Sequence, residues 1–229
     1  HEFVRGDIGN RELVDHLLPG VDMVVNFAAE SHVDRSILGA EPFMHTNATG
    51  VYVLLEAARR HGVRRFLQVS TDEVYGSLAP DELPWTEAAP LAPRNPYAVS
   101  KAAGDMMARA FAVTHGLPVL ISRAANNVGP FQYPEKRVPL FVTNALDDLP
   151  LPVYGRGTAV RDHLYVTDHC EALDLVLHRG VPGEAYNVGG ESERHNIDVA
   201  KLVVKQMGLG EDAIEYVSDR PGHDFRYAL

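Results

Sequence analysis

The sequence has a single cysteine, Cys170, in 229 residues. One thiol makes no internal disulfide, so a crosslinked framework is excluded and a reducing compartment, the cytoplasm, is expected. No apolar run reaches the roughly 18 residues a membrane-spanning helix needs. The first ten residues, HEFVRGDIGN, lack the basic start and apolar stretch of a secretory leader. Basic residues are also scarce: 21 Lys and Arg stand against 31 Asp and Glu, and a net charge of −10 argues against nucleic acid or an anionic membrane as partner. It leaves room for a phosphorylated ligand, because a few placed arginines and helix N-termini hold one on an acidic protein. The 11 histidines show no H-E-x-x-H or comparable spacing, so no metal site is expected. The G-x-G-x-x-G turn that opens a dinucleotide fold is missing too; Gly6 and Gly9 have no strand and helix around them.

At 45% hydrophobic and 23% charged, the composition is that of a globular chain with a sizeable core. Nearly continuous apolar runs at 22–29, 64–71 and 118–124 read as parallel strands covered on both faces. Helical patterns lie between them, at 43–61 ending on Gly62 and at 96–115 between Pro96 and Gly116. This order predicts an α/β fold with a doubly wound, Rossmann-like parallel sheet. After residue 125 the strand patterns shorten (151–154, 185–188, 213–217) and alternate with helices at 138–148, 168–179 and 197–207. That part reads as a smaller, mixed α/β segment at the carboxyl ends of the sheet strands, where such folds bind ligands. Either the chain is not a dinucleotide fold or it begins after the glycine-rich turn.

Two motifs carry chemistry. Tyr97 and Lys101 stand four apart on the second helix, hence on one face. An ammonium beside a phenol favours the phenolate and is expected to draw the Tyr97 pKa from about 10 toward neutrality. Such a tyrosine takes a proton from a hydroxyl while hydride leaves the same carbon. The spacing alone is common, and a surface Tyr–Lys pair gives the same pattern. The second motif, STDEVYG at 70–76, ends a strand with Thr71, Asp72 and Glu73 side by side. Adjacent carboxyls in a partly desolvated pocket hold different pKa values and serve as acid and base. T-D-E is equally the start of a capped turn.

These motifs stand in a longer pattern. NFAAESHVDRS (26–36), TNATGVYVLLEAAR (46–59), STDEVYG, NPYAVSKAAGD (95–105), SRAANNVGPFQYPEKRVPLF (122–141), PVYGRGTAVRDHLYVTDHC (152–170), YNVGG (186–190) and DRPGHDFRY (219–227) follow one another over nearly the whole chain. Together they resemble the extended short-chain dehydrogenase/reductase family and, within it, the nucleotide-sugar 4,6-dehydratases. The resemblance implies NAD as cofactor and a nucleoside-diphosphate glucose, dTDP-glucose first, as substrate. The implied reaction oxidises C4, eliminates water across C5 and C6, and returns hydride to C6 to give a 4-keto-6-deoxy sugar. It also implies that a glycine-rich βαβ part precedes VRGDIGN. Residues 1–125 are then the NAD-binding domain without its first part, and 126–229 mainly the nucleotide-sugar-binding segment, short of its end.

By the same resemblance, Thr71 hydrogen-bonds the reacting 4-hydroxyl and Tyr97, with Lys101, takes its proton. Glu73 takes the C5 proton and Asp72 protonates the leaving oxygen. Asp7 and Ile8 would touch the adenine of NAD; Phe27, Ala28, Ala29, Ser31, Thr46 and Asn127 would line the rest of it. Ser31 and His32 face the sugar, and Asn126 the sugar phosphate. Lys136, Arg161, Arg220 and Asn196 are expected at the diphosphate, with Arg137 and His223 in the same pocket. Pro152, Val153 and Tyr154 would lie under the base, and Tyr227 would close over the nucleotide end. Plainer roles stay open: a helix cap for Asn196, a turn for Asn126 and Asn127, a loop residue for His32, a backbone-bonded helix residue for Thr46, and a surface pair for Arg161 with Asp162. The sequence departs from the family pattern at Val128, Arg137, Val138 and His163, so base or sugar is open. A UDP-sugar 4-epimerase or decarboxylase would use Tyr97 and Lys101 without needing both Asp72 and Glu73. A non-catalytic nucleotide-sugar-binding protein is the other alternative. The family pairs the helices at 43–61 and 96–115 across a homodimer.

Overall fold

The computed structural model describes residues 1–229. The first elements are α1 (Arg11–Leu17), β1 (Met23–Asn26), α2 (Val33–Leu38), α3 (Glu41–Met44) and α4 (Val51–Arg60), with α3 and α4 joined through a π-helical turn at His45–Gly50. β2 (Arg65–Thr71) runs into a 3-10 turn at Asp72–Tyr75, followed by α5 (Pro96–His115), β3 (Val119–Ala124) and β4 (Asn126–Val128). Then come α6 (Arg137–Leu146), β5 (Leu151–Tyr154), β6 (Val160–Tyr165), α7 (Val166–Arg179) and β7 (Ala185–Val188). The last are β8 (Glu193–His195), α8 (Asn196–Met207), β9 (Ile214–Val217) and β10 (Arg226–Tyr227).

β1, β2, β3 and β7 make one parallel sheet in that order. Alternate residues of its central strands feed two cores. Phe66, Val119 and Ile121 pack with Leu55 of α4 and Phe111 of α5, while Leu67 and Leu120 meet Leu173 and Val176 of α7. With both faces covered, the strands carry the continuous apolar runs seen in the sequence. A smaller body holds β10, β6 and β4 in one sheet, with β8 antiparallel to β6, and the parallel pair β5 and β9. Phe141 of α6 and Ala200 and Val204 of α8 close its core over Leu151 and Val153.

Several expectations are corrected. The first strand stops at Asn26 rather than running to residue 29, because the Asn26 side chain turns inward. Its amide donates to Gln68 Oε1 at 2.9 Å while its oxygen accepts from the backbone N–H of Ala28 at 3.1 Å. Ala28 and Ala29 therefore lie on a loop. The helical run read at 43–61 starts at Glu41 and carries the π-helical turn inside it. α1, α2, β4, β6, β8 and β10 have no counterpart in the sequence reading. Asn196 is the first residue of α8 and not its cap; His195 holds the cap position. The division into 1–125 and 126–229 does not follow the sheets, since α7 packs on β2 and β3 and β7 adds a strand beside β3.

Candidate active site

A cavity of 490 Å³ opens where the carboxyl ends of β1 and β2 face the smaller body. The loop after β1 forms one wall and is clamped at both ends, by Asn26 and by Asn47. Asn47, in the π-helical turn, accepts from the Glu30 N–H at 2.9 Å and donates to the Glu30 carbonyl and the Ser100 hydroxyl, each at 2.9 Å. Gly104 of α5 permits this, because a Cβ there would stand 2.6 Å from the Asn47 carbonyl. Ser31 and His32 follow the loop into the cavity wall. His32 also caps α2, accepting from the Arg35 N–H at 3.4 Å, so its plainer role is occupied as well.

Thr71, Asp72 and Glu73 lie at the end of β2, and only Glu73 lines the cavity itself. Thr71 does cap the 3-10 turn, its hydroxyl accepting from the Glu73 N–H at 3.3 Å and donating to Asp72 Oδ1 at 3.1 Å. Asp72 is 1% exposed and its other carboxyl oxygen has no partner. Burial, then the neighbouring Glu73 charge, pushes the Asp72 pKa up to about 8, so it is a neutral acid at pH 7. Beside Glu73 stand Asn95, which the sequence reading missed, and Tyr227, which it placed over the nucleotide end. Asn95 Nδ2 donates to Glu73 Oε2 at 3.4 Å, while its own oxygen caps α5 at the Ala98 N–H. The Tyr227 hydroxyl lies 3.3 Å from Glu73 Oε2 and bonds Asp224. Tyr227 is buried behind the cavity rather than lining it.

Tyr97 is buried beside this pair, but its pKa is raised, not lowered. Burial is the first cause and the Glu73 charge the second. The Lys101 ammonium donates to the Val69 carbonyl at 2.7 Å. Burial brings the Lys101 pKa down to about 8. The residue set fits a dinucleotide. Val69 takes one of the three Lys101 N–H groups, leaving two for ligand hydroxyls. Phe27 stands 62% exposed just past β1. Asp7 pairs with His45 at 3.4 Å, and Ile8 packs over Gly50, which brings both beside Thr46 in the π-helical turn.

The far side of the cavity belongs to the smaller body. Asn126 and Asn127 come from β4, Lys136 and Arg137 from the start of α6, Pro152, Val153 and Tyr154 from β5, and Arg161 from β6. Asn196, Arg220 and His223 complete it. Lys136 Nζ donates to the Ser31 carbonyl across the cavity. Arg161 is buried with its guanidinium 4.4 Å above the Tyr227 ring and donates to the carbonyls of Val160, Phe225 and Asp224. Its pairing with Asp162 is ruled out. The Asp162 carboxylate is taken up by the N–H groups of Gly190 and Ser192, both at 2.7 Å. Asp34 is another residue missed. It accepts from Tyr154 at 2.9 Å and pairs with Arg220 at 3.0 Å, bridging α2 to the smaller body. No local pattern marks it, since both partners lie more than a hundred residues away.

Three comparisons bear on this arrangement. The family model described as GDP-mannose 4,6 dehydratase matches residues 1–228. A dTDP-glucose 4,6-dehydratase of Streptomyces niveus is 53% identical over 229 residues, covering 100% of this chain and 68% of its own length. The low-salt glycan biosynthesis protein Agl12 of Haloferax volcanii is 52% identical, covering 100% and 73%. Among solved structures, a double mutant of DesIV, a dTDP-glucose 4,6-dehydratase from Streptomyces venezuelae crystallised with NAD, superposes with a TM-score of 0.98 at 49% identity, over 100% of this chain and 70% of that one. The UDP-glucose 4-epimerase of Thermus thermophilus, in complex with NAD, gives 0.90 at 29% identity, over 98% and 75%.

Proposed function

Because this chain belongs to the GDP-mannose 4,6 dehydratase family, we propose that it acts as an NAD-dependent hydro-lyase that converts dTDP-glucose to its 4-keto-6-deoxy sugar. The observation that carries this reading is the asymmetric carboxyl pair. Asp72 is buried and protonated to about pH 8, whereas Glu73 opens on the cavity beside it. Elimination needs one group that takes a proton and another that gives one, and this pair supplies both. An epimerase needs only the tyrosine and lysine.

The chain's own residues divide the work. Thr71 hydrogen-bonds the sugar 4-hydroxyl and Tyr97 receives its proton, with Lys101 holding ligand hydroxyls beside it. The C4 ketone makes the C5 proton acidic; Glu73 removes it, Asp72 protonates the oxygen that leaves C6 as water, and Glu73 returns its proton to C5 as hydride reaches C6. Asn95 keeps the Glu73 carboxylate oriented by donating to it, with the Tyr227 hydroxyl 3.3 Å from the same oxygen. Asp7, Ile8, Phe27, Ala28, Ala29, Ser31, Thr46, Asn127 and Lys101 would hold NAD, which would supply a hydride acceptor for C4, a hydride donor for C6 and, when oxidised, a positive charge that favours the Tyr97 phenolate. Lys136, Arg161 and Arg220 meet the diphosphate, and Pro152 to Tyr154 support the base.

Two further parts of the reading concern assembly and place. A homodimer forms through α5, on which Val99, Met106 and Val113 stay exposed seven residues apart in one stripe. The site of action is the cytoplasm, supported by the lone thiol; no helix is long and apolar enough to cross a membrane. The reaction is tested by incubating the protein with NAD and dTDP-glucose and following the alkaline absorbance of a 4-keto sugar. Product is expected with wild type. Glu73→Gln is expected to lose about a hundredfold or more of turnover. Full turnover by Glu73→Gln removes Glu73 as the C5 base; no product from wild type with any nucleoside-diphosphate glucose overturns the activity.

A further inference from the structure

Arg161 is buried and Arg137 half-buried at one end of the cavity, and neither meets a carboxylate. The Arg161 donors go to three backbone carbonyls. Arg137 donates to the Asn196 side-chain oxygen through Nη1 and to His163 Nε2 through Nη2, at 2.9 Å for the second. Its Nε is buried with no partner at all. Arg220, the third guanidinium lining this end, is the one that has a counterion, Asp34 at 3.0 Å. Burial, together with the charges of Arg161 and Arg220, brings the Arg137 pKa down to about 9. Three guanidiniums that repel one another around an open space, with one carboxylate among them, make a site short of negative charge.

His163 fixes where Arg137 points. Its Nδ1 faces the Ser192 carbonyl at 3.3 Å, an acceptor only, so Nδ1 carries the hydrogen. Nε2 is then a lone pair and accepts from Arg137 Nη2. Burial and the Arg137 charge lower the His163 pKa, which keeps the ring neutral and in this role. Arg137 and His163 are two of the places where the sequence departs from its family's pattern, and in the fold they touch. An indole at position 163 has no acceptor to offer Arg137.

We propose that Arg137, held by His163 and Asn196, is a further diphosphate-binding guanidinium beside Arg161 and Arg220, and that His163 is its positioning residue. This rests on the nucleotide-sugar reading of the cavity. A diphosphate brings the two negative charges that the unpaired guanidiniums lack, and the Arg137 Nη hydrogens not given to Asn196 and His163 are donors that phosphate oxygens accept.

The test is calorimetric binding of dTDP and of thymidine, with melting curves of each variant with and without dTDP. Arg137→Leu should weaken dTDP by about tenfold or more, the loss of a charge-assisted hydrogen bond. Thymidine should stay within about twofold. The unliganded Arg137→Leu protein should melt at or above wild type, because a half-buried charge with no counterion has been replaced by an apolar group; the rise in melting temperature on adding dTDP should shrink. Arg137→Lys should recover part of the dTDP affinity. His163→Phe should weaken dTDP in the wild-type background and do nothing further on top of Arg137→Leu. If wild type binds dTDP and Arg137→Leu binds it equally, the inference is overturned while the nucleotide reading stands. Equal losses for dTDP and thymidine also overturn it, since Arg137 would then contact the nucleoside. A wild-type protein that binds no nucleoside diphosphate overturns both.

Discussion

Asp72 is the side chain on which pH acts most directly. In an unfolded chain it ionises near 3.8, whereas in the fold it keeps its proton to about 8. Between those values the unfolded state binds fewer protons than the native one, so stability falls as pH rises through the window. Asp72→Asn removes this titration. Thermal melts should show the variant level with wild type below pH 3.8 and more stable above about 8, by on the order of a few kcal/mol. No gain at the alkaline end would mean that Asp72 is already ionised in the native protein. The same variant loses its transferable proton, so dehydration should slow by about a hundredfold or more while oxidation at C4 continues. The carboxyl pair was legible in the sequence because its members are adjacent and end a strand. Their supports were not: Asn95 and Tyr227 reach Glu73 from 22 and 154 residues away. The Tyr97–Lys101 spacing correctly put both on one helix face. It could not say that Tyr97 would be buried beside the Glu73 charge, which is why the expected fall in the Tyr97 pKa became a rise.

α5 shows how element and site depend on each other. Its limits, Pro96 to His115, are the ones that Pro96 and Gly116 announce in the sequence. Helices of six or seven residues such as α2 and α1 contain too few turns to show a period. β6 hides because Arg161 and Asp162 interrupt its apolar pattern, and both are buried for polar reasons. The π-helical turn was equally hidden; within it Asn47 meets Ser100 and Gly104 of α5. Gly104 governs that contact. Alanine there gains about 1 kcal/mol of helix propensity, but its Cβ would meet the Asn47 carbonyl at 2.6 Å, against backbone that cannot swing aside. Overpacking of this kind costs about 1–3 kcal/mol. Gly104→Ala should therefore lower the urea midpoint despite the better helix former. It should also weaken NAD binding, because Asn47 clamps the loop at Glu30. An unchanged midpoint would show that α5 has room to shift, and the close approach would then have no energetic consequence.

The whole molecule is woven from its two bodies rather than divided between them. β3 and β7 pair directly, yet 60 residues, most of them in the smaller body, separate Ala124 from Ala185. Local periodicity carries no record of which distant strand a segment joins, so the change of texture after residue 125 marked only the first crossing. Which faces stay uncovered for a second copy of the chain is likewise decided only by the fold. Val99, Met106 and Val113 are 44, 59 and 80% exposed, along a helix whose other face packs on the sheet and on α4. A stripe with a seven-residue repeat is the pattern by which two helices pack along their length. Twofold symmetry would set each α5 against its mate, with Met106 near the middle of the contact. Glutamate at that position places two carboxylates together in an apolar seam, at a cost that self-association of this size does not survive. Light scattering at micromolar concentration should give wild type twice the protomer mass and Met106→Glu the protomer mass, with the melting curve of the variant still cooperative. A wild type of protomer mass, or a Met106→Glu protein that stays dimeric, would move the interface off α5.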